Sequence, residues 1–190
     1  MTCWEPGCAL FQVQGQISKL VVRALANAWQ GAQDRSSELQ VRRQARIAAL
    51  QALFEIDFAH HQAGVVLQQR FEDLDLPDEG QKFTRELVQG VLAHQQALDA
   101  MIVTYAPEWP IEQMAVIDRN ILRIALYEFV INDETPPKVA INEAVELAKI
   151  FGSDSSSRFV NGVLGTLLSQ QAIPPRRQKK GKKQVESAAG

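Results

Sequence analysis

The chain has 190 residues, 46% of them hydrophobic, and a formal net charge of −2, enough to bury a full core in one domain without a disulfide or a metal to hold it. Cys3 and Cys8 have no matching Cys or His cluster, and His60, His61 and His94 show no ligand spacing, which argues against zinc or any other metal cofactor. No apolar run approaches the ~20 residues of a membrane span, and the N-terminus lacks the layout of a secretion signal, so a cytoplasmic, reduced protein is expected.

Charge is spread unevenly. Residues 41–172 hold 11 Lys and Arg against 18 Asp and Glu, whereas Arg176 to Lys183 hold six basic residues and no acidic one. Nucleic-acid contact by such a chain has to be local, supplied by a clustered basic helix start or by the tail.

Residues 1–38 read as an N-terminal extension. Within it Ile17, Leu20, Val21, Ala24, Leu25, Ala28 and Trp29 share one helical face, and Gly31 to Ser37 is a polar linker. The main domain, 39–172, opens on a helix from Val41 to about Ala59 with Ile47, Leu50, Phe54 and Phe58 on one side. Its first turns carry Arg42, Arg43 and Arg46. Arginine at a helix start opposes the dipole and so points to another use, although charge runs of this kind are usually solvated faces.

A shorter helix through Val66, Leu67, Phe71 and Leu74 is broken by Pro77. Asp78 then offers an N-cap for one long helix in which Phe83, Leu87, Val91, His94, Leu98, Met101 and Tyr105 step by threes and fours. His94 on that stripe reads as a hydrogen-bonded core histidine. Ala106-Pro-Glu-Trp-Pro110 marks a break between two halves of about three helices each. After a turn near Ile111 to Met114, Ile117 to Ile131 is apolar nearly all round, as expected of a central helix, with Arg119, Arg123 and Glu128 on its remaining wet edge.

The last two helices are the most distinctive part of the chain. Lys138 to Phe151 places Ile141, Ala144, Val145, Ala148 and Phe151 on one face and Glu143, Glu146 and Lys149 on the other, and Gly152 stops it. Beyond Ser153 to Ser157, Val160, Val163, Leu164, Leu167 and Leu168 face the core, with Gly162 and Gly165 expected to permit close backbone approach. Arg158 and Phe159 open this helix. A cation and an aromatic beside a helix start suit a phosphate and an unstacked base. Residues 173–190 read as a basic, disordered tail.

No phosphate loop, dinucleotide fingerprint, HExxH or CxxC is present, and the paired Glu143 and Glu146 are more economically a solvated face than an acid/base pair. An enzyme is therefore not expected. Three blocks carry a resemblance: Arg42-Arg-Gln-Ala-Arg-Ile-Ala-Ala-Leu-Gln-Ala-Leu-Phe54, Ile121-Leu-Arg-Ile-Ala-Leu-Tyr-Glu128, and Lys138-Val-Ala-Ile-Asn-Glu-Ala-Val-Glu-Leu-Ala-Lys149 continuing to Phe159-Val-Asn-Gly-Val163. In this order and spacing the chain, over about Arg42 to Leu168, resembles the NusB family of bacterial transcription antitermination factors.

The resemblance implies an all-α fold of two packed three-helix sub-bundles. It also implies binding of boxA RNA in nascent rRNA transcripts together with NusE, within the RNA polymerase antitermination complex. It assigns RNA contact to Arg42, Arg43, Arg46, Arg158 and Phe159, with Lys138 a further candidate, on a surface that Arg158 and Phe159 continue from the arginines. Phe159 would stack on a base if exposed, or pack in the core. Gln44 sits where relatives often extend the arginine run, and Asp154-Ser-Ser-Ser157 is less acidic than in some relatives. The expected state is a monomer or weak homodimer with no membrane contact. The fold also looks like the RNA-binding domain of certain rRNA cytosine methyltransferases, whose catalytic domain is not expected here. A purely protein-binding module, docking through Glu72 to Glu86 or the Ile17–Trp29 face, is the remaining alternative.

Overall fold

The computed structural model describes residues 38–170, so the Ile17–Trp29 face, the polar linker and the basic tail lie outside the described residues. These form seven α-helices and no strand: α1 Glu38–Ala59, α2 Ala63–Asp73, α3 Asp78–Ala93, α4 Gln95–Tyr105, α5 Val116–Leu126 with a π-helical turn at Tyr127–Ile131, α6 Pro137–Phe151 and α7 Ser156–Gln170. Helices α1, α2 and α3 make one sub-bundle and α5, α6 and α7 the other, and α1 meets α5 across the join. Ala45, Ala48, Ala49 and Ala52 of α1 are fully buried. Side chains this small let neighbouring helices approach closely while Leu50 and Leu53 fill the space between them.

The long helix expected from Asp78 to Tyr105 is two helices. His94, at φ −114° and ψ 15°, leaves the helical region between them, and α4 packs chiefly on α5 and α7 of the second sub-bundle. The division between halves thus falls at His94, ahead of the Ala106–Pro110 break. His94 is exposed and not a core residue; its Nδ1–H donates to the Gly90 carbonyl at 2.9 Å, beside the Tyr127 ring. The same carbonyl accepts the His94 backbone N–H.

Close approach occurs at Gly90, where an added Cβ would collide with the Tyr127 ring. Gly162 and Gly165, expected in that role, are exposed, and a Cβ there would meet nothing within 4 Å. Phe58 also departs from expectation: it stacks on Phe54 but stands outside the core at the end of α1.

Helix α5 has no exposed residue, and of its expected wet edge Arg119 is half-buried, donating to Asp57 at 3.3 Å. The helix is flanked by α1, α4, α6 and α7, so Arg123 and Glu128, expected in solvent, are 3% and 1% exposed. Burial of that kind requires compensation. The Arg123 guanidinium donates to both oxygens of Asp99 at 2.7 and 2.8 Å, to Asp57 at 2.8 Å and to Asn120 at 3.1 Å. Burial pushes this guanidinium's pKa down, and Asp99 and Asp57 together more than reverse that, leaving it raised. One side chain thereby ties α5 to α1 and α4.

Candidate nucleic-acid interface

The first turns of α1 bring three arginines against α3, α5 and α6. Arg42 and Arg46 are four residues apart, one helical turn, and their guanidinium carbons lie 5.0 and 5.4 Å from the centre of the Phe83 ring on α3, within cation–π range. Arg43, on a different face of α1, donates from Nε and Nη2 to the two carboxylate oxygens of Glu143 on α6, at 2.9 and 2.7 Å. These bonds hold its guanidinium above its ordinary pKa, with burial opposing.

Arg46 is turned inward. It is only 3% exposed, and its Nε and Nη2 donate to the two oxygens of Glu128 at 2.7 Å each. The reason is its register: Arg46 precedes Leu50 by one turn and so lies in line with the core stripe of α1. The Thr135 hydroxyl donates a further bond to Glu128 at 2.8 Å, anchoring the loop that leads to α6. Pro137 starts that helix, where its missing N–H costs nothing. The next residue, Lys138, is exposed and makes no ion pair among the described residues. Arg42, Arg43 and Lys138 therefore share one end of the molecule, with Arg46 beneath them.

Arg158 and Phe159 lie at the other end. The Ser156 hydroxyl at the start of α7 donates to Asp118 in the first turn of α5 at 2.9 Å, whereas the arginines meet the far end of that helix at Glu128. At 1.5 Å per residue these two points are about 15 Å apart. The six candidate residues thus fall into two clusters along α5, not one patch. Arg158 is exposed, without an ion pair among the described residues. Phe159 is half-buried against the core, and its ring meets Trp109 edge-on at 5.7 Å. Trp109 is 54% exposed.

Sequence reasoning did not single out Phe83, Trp109, or the pairing of Glu128 and Glu143 with arginines. The i,i+4 spacing of Arg42 and Arg46 signals a shared neighbour, but nothing local identifies it as Phe83. The acidic stretch Glu72 to Glu86 runs from α2 into α3, beside an open groove of about 470 Å³ lined by Gly64, Gln68, Phe71, Glu72, Gln81 and Arg85.

A model of the NusB family matches residues 43–169. The chain is 53% identical over 132 residues to the transcription antitermination protein NusB of Roseiflexus sp. (strain RS-1), covering 68% of this chain and 93% of that protein. It is 51% identical over 131 residues to the NusB of Chloroflexus aggregans (strain MD-66 / DSM 9485), covering 68% and 87%. Among solved structures, NusB of T. maritima superposes with a TM-score of 0.63 at 31% identity, covering 69% of this chain and 92% of that one. A chain from the crystal structure of the antitermination factors NusB and NusE in complex with dsRNA matches at TM-score 0.64 and 22% identity, over 70% and 98%, and bears on the fold alone. With the match running from Arg43 in α1 to the last turn of α7, this chain belongs to the NusB family.

Proposed function

We propose that this chain is a transcription antitermination factor that binds boxA RNA of nascent rRNA transcripts together with NusE, joins the RNA polymerase antitermination complex, and works by assembly without catalysis. The observation that carries this reading is the clustering of Arg42, Arg43 and Lys138 at one end of a domain that is otherwise acidic. Phosphate binding requires local cations, and these three stand at one end of the domain. The names of relatives above half identical support the antitermination role, and the choice of partners follows from membership of that family.

In this reading Arg42 and Arg43 contact phosphates directly and Lys138 adds a third charge. Arg46 acts from below, fixing α1 to the turn after α5 so that its neighbours are presented at a constant angle. Arg158 and the Phe159–Trp109 pair give a second contact about 15 Å along α5, where a base can meet an aromatic face. A strand bound at both clusters would run along the molecule. Titrating boxA RNA against a scrambled sequence, with and without NusE, tests the proposal. Tighter binding of boxA, strengthened by NusE, is expected; equal affinities under both conditions reject it.

A further inference from the structure

We infer that Glu143 sets the strength of RNA binding by occupying the edge of the Arg43 guanidinium that a phosphate would take; this deepens the RNA-binding reading above and rests on it. Arg43 meets Glu143 through two parallel N–H···O bonds from Nε and Nη2, at 2.9 and 2.7 Å. A guanidinium binds phosphate by the same fork. A carboxylate and a phosphate therefore compete for one set of donors.

The two arginine–carboxylate pairs at this end differ in how open they are. Arg46 and Glu128 are sealed in the interior and no external anion reaches them. The Arg43 side chain is 47% exposed and that of Glu143 17%, so an arriving phosphate has access to the guanidinium, and a pair this open to solvent is held weakly. Glu143 also lies 3.8 Å from Arg46 Nη1, which leaves a released carboxylate a second cation to face. Glu146, one turn further along α6, adds negative potential at Arg43. Acidic side chains on α6 thus offset the cation most exposed on α1, and RNA binding has to overcome them.

The alternative role for Glu143 is mechanical, as a staple between α6 and α1. Glu143→Gln separates the two, because it keeps the side-chain length and an acceptor for Arg43 while removing the charge. Dissociation constants for boxA RNA, measured from low to moderate salt, are compared among the full-length chain, Glu143→Gln, Arg43→Ala and the double variant. Urea midpoints are recorded alongside. Glu143→Gln is expected to bind about threefold tighter at low salt and to steepen the slope of log affinity against log salt by up to about 0.7, the increment for one full phosphate on a single strand. The gain is expected to vanish when Arg43 is Ala. Unchanged or weaker binding by Glu143→Gln with an unchanged slope overturns the competition and leaves the staple, as does a gain that persists without Arg43. Lack of binding by the unaltered chain overturns the RNA-binding reading itself and this inference with it.

Discussion

Arg46 on α1 and Glu128 in the turn after α5 form a two-bond ion pair in the protein interior, with both bonds at 2.7 Å and both side chains almost fully shielded from water. Removing either partner strands a charge with no solvent to accept it, a loss of about 3–5 kcal/mol. Glu128→Ala is therefore expected to lower the unfolding free energy by that amount in a urea titration. Replacing both members together, Arg46→Met with Glu128→Leu, should recover most of the loss. A single Glu128→Ala change costing under about 1 kcal/mol would show that the pair is not the tie between α1 and α5.

Gly90→Ala places a methyl group inside the Tyr127 ring. Alanine favours a helix over glycine by about 1 kcal/mol, yet overpacking of this kind costs about 1–3 kcal/mol or more, so a net loss of stability is expected in thermal melting. Gly162→Ala is the control: the site is exposed and nothing stands near the new carbon, and a slight rise in melting temperature is expected.

The helices and most of the core were legible because apolar residues at three- and four-residue steps leave few other ways to bury them. Ile121, Leu122, Leu126 and Phe129 marked α5 as central, and all four are buried. The same pattern misled where polarity was read as exposure. Arg123 and Glu128 looked like a wet edge, but a helix packed on every side has none, and carboxylates from elements far away in sequence compensate Arg123. Those partners, Asp57 and Asp99, are separated from it by 66 and 24 residues and leave no local signature. The break at His94 was hidden for a related reason. The apolar spacing continues through it, and the change of direction is decided by which sub-bundle receives Leu98 and Ile102. At the candidate interface the arginines were visible as a cluster, but their division into outward and inward members followed only from the alignment of Arg46 with Leu50.

Asp118 gives the fold a predictable pH response. Burial raises its carboxyl pKa above the ordinary value, opposed by the hydrogen bond from Ser156, and its Oδ1 has no hydrogen-bond partner among the described residues. A carboxyl with a raised folded pKa keeps its proton to higher pH in the folded state than in the unfolded chain. Its contribution to stability is therefore full in acid, falls as pH rises from the ordinary carboxyl value through the raised one, and stays low above it. Asp118→Asn lacks this titration while its amide oxygen still accepts from Ser156. The melting temperature of the variant minus that of the unaltered chain should climb across that window and then level off. A difference that stays constant with pH contradicts this.

The cluster at the start of α7 can be watched through Trp109. With Trp4→Phe and Trp29→Phe, Trp109 is the one tryptophan of the chain, and its ring touches Phe159 beside Arg158. Saturation with boxA RNA is expected to change its emission, and Arg158→Ala to reduce the salt slope by about 0.7. Emission that ignores RNA at saturation would confine the contact to the α1 end.

The most direct test of the account is the salt dependence of boxA binding by Arg42→Ala/Arg43→Ala, followed by fluorescence anisotropy, with helical content checked by circular dichroism. Loss of the Arg42 contact and of the share that Glu143 leaves to Arg43 should weaken binding and flatten the slope of log affinity against log salt by between about 0.7 and 1.4, with the helical signal unchanged. Affinity and slope equal to those of the unaltered chain would contradict the claim that the first turns of α1 hold the RNA backbone.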